Sequence, residues 1–330
     1  MSRVAILGAG SWGTTLAIHL AQLGHEARIW GNDGAELERM DRLRENAKFL
    51  PSIPLPDGVK VRTELAVALK DSDCVLFAVP SQVTREVARR VAETAVPVGI
   101  AISASKGFEL ETRQRLSEVL ASMLPGSRVV VVTGPSHAEE VSRGIPTSVV
   151  AASEHEPSAQ AVQQLLASPS FRVYTNTDVT GCEVGAGVKN VIAIAAGVCD
   201  GVGFGDNTKG ALLTRGLAEM ARLGSAMGGR RETFFGLAGM GDLIATAMSR
   251  HSRNRFVGER LGRGETLDAV LDSMTMVAEG VPAARATRQL GTQFGVDMPI
   301  TEQVCALLFE QRSPREALQA LMTRDLRSEA

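Results

Sequence analysis

Directly after an apolar run at residues 3–7, the chain reads Gly8-Ala9-Gly10-Ser11-Trp12-Gly13 and continues into a helix-like stretch at 14–23. A second apolar run at 27–30 completes the order strand, glycine turn, helix, strand, which is the opening of a βαβ unit that cradles a dinucleotide. Each glycine has its own job: Gly8 permits the tight turn, Gly10 lets backbone amides approach a pyrophosphate, and Gly13 lets the helix lie close to the strand. The helix N-terminus adds partial positive charge where the phosphates would sit. A glycine-rich turn without a ligand is the competing reading, and the order of the flanking elements argues against it.

Further short apolar runs lie at 74–79, 99–103, 129–133, 148–152 and 171–174, separated by longer helix-like segments. Their hydrophobicity is continuous rather than alternating, so the strands should be covered on both faces, as in a mainly parallel, Rossmann-like sheet. Beyond Asn176 the strand runs stop, and 179–199, 211–227, 267–274, 282–294 and 301–309 read as helices. The expected α/β architecture is therefore a dinucleotide-binding domain over 1–178 and an all-helical substrate-binding and catalytic domain over 179–330. With 330 residues, 44% of them hydrophobic, the chain has enough apolar surface for two cores. The glycine-rich segment 197–210 is expected to form a shaped loop.

Charge excludes some partners. The 35 basic and 37 acidic side chains leave a net charge of -2, so bulk charge implies neither a nucleic-acid groove nor a basic membrane face. Cys74, Cys182, Cys199 and Cys305 form no CxxC or Cys/His cluster, which argues against structural zinc and disulfides and for a reducing, cytoplasmic setting. No secretion signal precedes the first strand, and polar or glycine residues interrupt the apolar stretches, so no integral membrane contact is expected.

Several polar residues stand where strands end, the edge at which open α/β sheets bind ligands. After the second strand come Gly31-Asn32-Asp33; Asp33 either accepts from a ribose 2′-hydroxyl or caps a helix, and spacing alone leaves the choice of cofactor open. Lys106 follows the fourth long run and Gly134-Pro135-Ser136-His137 the fifth. Lys106 and Ser136 are either ligand contacts or an ordinary loop lysine and helix cap, while His137 is read as a supporting residue rather than the acid/base. Lys189 is the more unusual group, because it lies in an otherwise apolar, small-residue helix. A buried ammonium is costly unless it is paired or its pKa falls, and a lowered pKa suits an acid/base working near neutrality. A lysine snorkelling at the helix surface is the alternative. Asp242 and the run Ser252-Arg253-Asn254 supply a carboxylate and a candidate anion-binding cluster, with Arg253 able to make a forked contact to phosphate oxygens.

Taken together, these segments resemble the bacterial-type NAD(P)-dependent glycerol-3-phosphate dehydrogenase family from the first strand to near the C-terminus. The resemblance rests on GAGSWGT at 8–14, SKG at 105–107, GPSHAEE at 134–140, VKNVIAI at 188–194, GFGDNTK at 203–209, LTRGLAEM at 213–220, GMGDL at 239–243, SRN at 252–254 and VAEG at 277–280, in the family's order. It implies that Lys189 is the proton donor and acceptor, with Lys106, Gly134, Ser136, Asp242, Ser252, Arg253 and Asn254 around the substrate, dihydroxyacetone phosphate or glycerol 3-phosphate. The cofactor, NADPH or NADH, would be held by Gly8, Gly10, Ser11, Trp12, Gly13, Asn32, Lys106, Ala138, Arg253, Val277 and Glu279. No metal is implied; a homodimer and a role in supplying phospholipid synthesis are. Asn32 departs from the pattern, since many relatives carry a basic or imidazole side chain there, which loosens the expected NADPH preference. Two rivals stand beside this reading: another Rossmann-plus-helical hydroxyacid dehydrogenase, and a non-catalytic nicotinamide-binding sensor.

Overall fold

In the computed structural model, which describes residues 1–326 and Ser328, a single eight-stranded sheet carries the first half of the chain. The strands are β1 (Arg3–Leu7), β2 (Glu26–Trp30), β3 (Val59–Val61), β4 (Cys74–Phe77), β5 (Ile100–Ser103), β6 (Arg128–Thr133), β7 (Thr147–Ala152) and β8 (Phe171–Asn176). They lie in the order β3-β2-β1-β4-β5-β6-β7-β8. Seven of these match runs seen in the sequence; β3 does not, because a three-residue Val-Lys-Val strand gives almost no periodic signal. The C-terminal residues Arg327, Glu329 and Ala330, which the expected second domain included, lie outside the described residues.

Period-two geometry explains why these runs look uniformly apolar. In β1 and β4, Val4, Ile6, Cys74 and Leu76 enter the core on one face of the sheet, while Ala5, Leu7, Val75 and Phe77 enter the core on the other. Pairing is parallel throughout except between β6 and β7, which run antiparallel. The connection between them contains only the four-residue helix Ala138–Val141, roughly 6 Å of helix, too short to carry the chain back along a strand of roughly 20 Å. The chain therefore reverses, and the ends of that connection stay near the site.

β1 has β2 on one side and β4 on the other, so the order of the strands reverses there and opens a crevice at their carboxyl ends. Gly8 holds the bottom of this crevice with φ of +120°, and a Cβ on it would come within 2.5 Å of the Ala78 carbonyl oxygen.

The helical half is organised around one long helix, Val179–Val202, whose apolar residues are almost all enclosed by its neighbours. It begins at an Asp178 cap: Oδ1 accepts from the Gly181 amide at 2.8 Å, and Oδ2 accepts from Thr233 Oγ1 at 2.6 Å and the Arg230 amide at 2.8 Å. Such a cap contributes about 1 kcal/mol. By length and composition this helix could cross a membrane, contrary to the sequence expectation that polar residues interrupt every apolar stretch, but its apolar window is wholly buried by protein.

The expected loop over 197–210 is corrected. Helix continues to Val202, turns at Gly203, and resumes as Asp206–Ala226. Two of the glycines that suggested a loop are instead packing surfaces, while Gly203, with φ of +82°, makes the turn: a Cβ on Gly197 or Gly201 would lie 2.0 or 2.2 Å from the Arg255 or Glu259 carbonyl oxygen of helix Arg253–Gly262, and one on Gly258 would lie 1.9 Å from the Ile194 oxygen. Two helix backbones touch because neither carries a side chain at the crossing. Sequence alone cannot distinguish a glycine that frees the backbone from one that admits a neighbour.

Candidate active site

Between the sheet edge and the helical half lies a cleft of about 470 Å³. At one end it is lined by Gly8, Gly10, Ser11 and Trp12, with Trp30 and Asn32 beyond them. Gly10 is the N-cap of helix Ser11–Gln22, no side chain caps the first amides, and a Cβ at Gly10 would meet nothing within 4 Å among the described residues. Gly13 lies just outside the cleft and must be glycine for a different reason, since its Cβ would come 2.0 Å from the Gly8 carbonyl oxygen. The buried Trp12 Nε1 has no partner among the described residues. Open backbone amides at a helix N-terminus and an orphan donor beside them fit a dinucleotide.

The other end is assembled from four elements. Parallel pairing sets Ser103 of β5 beside Val131 of β6, so Lys106 and Gly134 leave the sheet at the same edge. Lys189 projects from the long helix. Asp242 begins helix Asp242–Met248, and glycines bring it within reach: a Cβ on Gly185 would lie 2.5 Å from the Ala238 oxygen, and one on Gly239 2.1 Å from the Phe234 oxygen. Asp242 sits in the first turn, where the helix dipole favours a carboxylate.

Asp242 joins the two lysines. Its Oδ2 lies 2.8 Å from Lys106 Nζ and its Oδ1 2.9 Å from Lys189 Nζ, and it accepts from Thr246 Oγ1 at 3.2 Å. Lys189 also donates to Thr246 Oγ1 at 2.7 Å; Lys106 donates to the Gly134 carbonyl at 2.8 Å and to Ser136 Oγ at 3.4 Å. Lys189 is 5% exposed and Asp242 2%. Burial pulls the Lys189 ammonium down to about 8; Asp242 limits the drop and Lys106 adds to it. Burial pushes the Asp242 carboxyl up, but the two lysines outweigh it and hold the group below the usual carboxylate range. Two cations sharing one anion leave a net positive, partly desolvated cluster suited to an anionic oxygen.

The remaining residues frame the cleft. Ser252 Oγ caps helix Arg253–Gly262 by accepting from the Arg255 amide at 3.2 Å. Arg253 donates to the Val277 carbonyl at 2.8 Å, fixing the segment that carries Glu279. Glu279 accepts from the Ser81 amide at 2.9 Å and hydroxyl at 2.5 Å; burial raises its carboxyl pKa against these bonds and the nearby Arg253 charge. Asn254 donates to Asn190 Oδ1 and accepts from the Gly280 amide, both at 2.8 Å, and so ties three helices together. The Ala138 carbonyl accepts from Thr15 Oγ1 at 3.2 Å, joining the glycine-loop helix to the β6–β7 connection.

Of the residues singled out in the sequence, the structure brings all but Gly13 and Gly134 to the cleft wall, and those two support it from behind. Asp33 caps helix Gly34–Leu43, accepting from the Glu36 amide at 3.1 Å. His137 contacts the Ala245 carbonyl at 3.3 Å, and burial lowers its pKa. Sequence reading overlooked Thr246, although it lies one helical turn after Asp242 and hence on the same face. It also overlooked Ser81 and Arg90, which stand behind the cleft wall and bond to Glu279 and Asn32 within it.

Residues 3–159 match the family model described as NAD-dependent glycerol-3-phosphate dehydrogenase N-terminus, and residues 178–319 match the model for the C-terminus of the same family. A curated relative from Pelodictyon phaeoclathratiforme, named glycerol-3-phosphate dehydrogenase [NAD(P)+], is 48% identical over 329 residues, covering 99% of both chains. One of the same name from Desulfitobacterium hafniense is 47% identical, covering 100% of this chain and 93% of its own. The crystal structure of glycerol-3-phosphate dehydrogenase from Coxiella burnetii superposes with a TM-score of 0.95 at 36% identity, covering 98% of this chain and 99% of that one.

Proposed function

This chain belongs to the NAD-dependent glycerol-3-phosphate dehydrogenase family, and we propose that the Lys106–Asp242–Lys189 cluster is where it interconverts dihydroxyacetone phosphate and sn-glycerol 3-phosphate. The family match spans both halves of the chain and favours this activity over a different hydroxyacid dehydrogenase or a non-catalytic sensor. The observation that carries the site assignment is a buried lysine, poised near neutrality, in contact with a carboxylate and a hydroxyl.

A nicotinamide dinucleotide, NADPH or NADH, supplies or accepts the hydride when bound. Gly8, Gly10, Ser11 and Trp12 would hold its pyrophosphate, Asn32 its adenine-side ribose, and Lys106, Ala138, Arg253, Val277 and Glu279 its remaining length, with Gly13 keeping the helix in place. In the reducing direction protonated Lys189 donates to the carbonyl oxygen as alkoxide charge develops there, while Lys106 and Asp242 fix its position. In the oxidising direction neutral Lys189 takes the proton of the hydroxyl. Ser252, Arg253 and Asn254, at the start of a helix, grip the substrate phosphate, and Gly134 and Ser136 keep Lys106 aimed at the substrate.

The proposal also places the division between dinucleotide-binding and catalytic domains at 178/179, the enzyme in the cytoplasm, and its working form as a homodimer without integral membrane contact. All four cysteines are buried and unpaired, which suits a reducing compartment. Glycerol 3-phosphate leaving the site feeds phospholipid synthesis.

The direct test follows nicotinamide absorbance with dihydroxyacetone phosphate and with dihydroxyacetone, using NADH and NADPH in turn. The phosphorylated ketone should be strongly preferred with either cofactor; equal use of the unphosphorylated one would remove the phosphate site. Arg253→Lys keeps charge but loses the forked contact, so kcat/KM for dihydroxyacetone phosphate should fall about 10-fold or more, the equivalent of a lost charged hydrogen bond. The same variant should change dihydroxyacetone reduction far less. Loss of equal size on both ketones would assign Arg253 to the Val277 segment alone.

A further inference from the structure

Beside the adenine-side end of the cleft stands a cation that the sequence order hides. Asn32, just past β2, has no positive charge, yet its Oδ1 accepts from Arg90 Nη1 at 2.6 Å. Arg90 belongs to helix Thr84–Glu93, which follows β4; Val87 of this helix and Val83, just before it, line the cleft, and Arg90 lies one turn beyond Val87 on the same face. Its guanidinium carbon stands 4.6 Å from the centre of the Trp30 ring, and Trp30 itself lines the cleft. Stacking on an indole holds a guanidinium in a fixed plane while leaving its other N–H groups free.

The Glu86 carboxylate on the same helix feels the Arg90 charge but makes its ion pair with Arg89. Among the described residues Arg90 forms no salt bridge, whereas Arg89 beside it on the same helix is paired with both Glu86 and Glu93. Asp33, which the sequence left open between a 2′-hydroxyl acceptor and a helix cap, caps a helix and lies 3.9 Å from Lys48 Nζ. At the end of β2 the Asp33 carboxylate is thus shared between a backbone amide and Lys48, while Arg90, which forms no salt bridge among the described residues, stands against Asn32 at the cleft's rim.

We infer that Arg90, oriented by Trp30 and Asn32, is the residue that recognises the 2′-phosphate of NADPH, taking the place of a basic residue at 32. The inference rests on the reading of this cleft as the nicotinamide dinucleotide site.

Two mononucleotides that differ by one group test it without turnover. Adenosine 2′,5′-bisphosphate and AMP are titrated into the full-length enzyme by calorimetry, with the fluorescence of Trp12 and Trp30 as a second readout. The wild type should bind the bisphosphate more tightly; Arg90→Met should lose about 10-fold or more of that affinity while AMP binding shifts by at most about 2-fold, and Arg90→Lys should fall between. In steady state, Arg90→Met should raise KM for NADPH by a similar factor and lower kcat/KM for NADH much less. Equal loss for both nucleotides would make Arg90 an adenine-stacking residue, and no preference in the wild type, or full preference in Arg90→Met, would overturn the inference. Failure of either nucleotide to bind would strike at the cofactor site itself, a separate result.

Discussion

Lys189→Met is expected to reduce turnover by about 10²-fold or more, the share of the rate that a positioned acid/base supplies, while the protein still folds and binds cofactor. Methionine keeps the length of the side chain and removes only the ammonium. Asp242 is not orphaned by the change, because Lys106 Nζ remains 2.8 Å away and Thr246 Oγ1 still donates to it. Stability should therefore hold, and linkage gives the sign. With the folded-state pKa near 8 against an ordinary 10.5, the native protein releases a proton that the unfolded chain keeps between those values, so Lys189's own contribution to stability rises with pH across that window. Below it the ammonium is carried at a cost, and Met should be neutral or stabilising there. Both tryptophans line the cleft, so quenching of their fluorescence on adding NADH or NADPH reports binding independently of rate. A folded variant that binds cofactor and turns over within a few-fold of wild type would return Lys189 to the status of a buried structural lysine.

Lys189 also shows how much of the site was legible beforehand. A single ammonium in a run of Gly, Ala, Val and Ile is conspicuous because its burial must be compensated, and the compensating pair was Asp242. The glycine loop was legible for a similar reason, since Gly8 and Gly13 occupy positions where a side chain would strike backbone. Most of the sheet followed from runs buried on both faces. Features that depend on distant chain meeting distant chain were not legible: β3 has only three residues, the glycines of 197–202 serve a helix crossing rather than a loop, and Arg90 meets Asn32 across 58 positions of sequence. Hydrophobic period reports which face a residue turns inward, and is silent about which partner waits there.

The second large effect is expected at Asp242, where Asp242→Asn keeps the shape and removes the charge that Lys106 and Lys189 share. Two ammonium groups are then left in a desolvated pocket without a counter-ion, and breaking a buried pair in this way costs about 3–5 kcal/mol. The cheaper escape is for Lys189 to lose its proton. Burial already pulls it down to about 8, Asp242 is the main influence opposing that drop, and Lys106 reinforces it. Without the carboxylate the pKa must move lower still, so at neutral pH a larger fraction of the enzyme lacks the proton needed to reduce dihydroxyacetone phosphate. Since reduction requires the protonated form, its rate falls as pH rises through the Lys189 pKa, and in Asp242→Asn that alkaline limb should move toward acid. At neutral pH we expect kcat/KM to drop about 10²–10³-fold, combining lost protonation with misplacement of both lysines. A pH profile of kcat/KM, measured beside a denaturant titration, separates the two consequences. A destabilised variant whose alkaline limb stays where the wild type's lies would reduce Asp242 to a structural anchor; a limb shifted to lower pH ties the carboxylate to the proton held on Lys189.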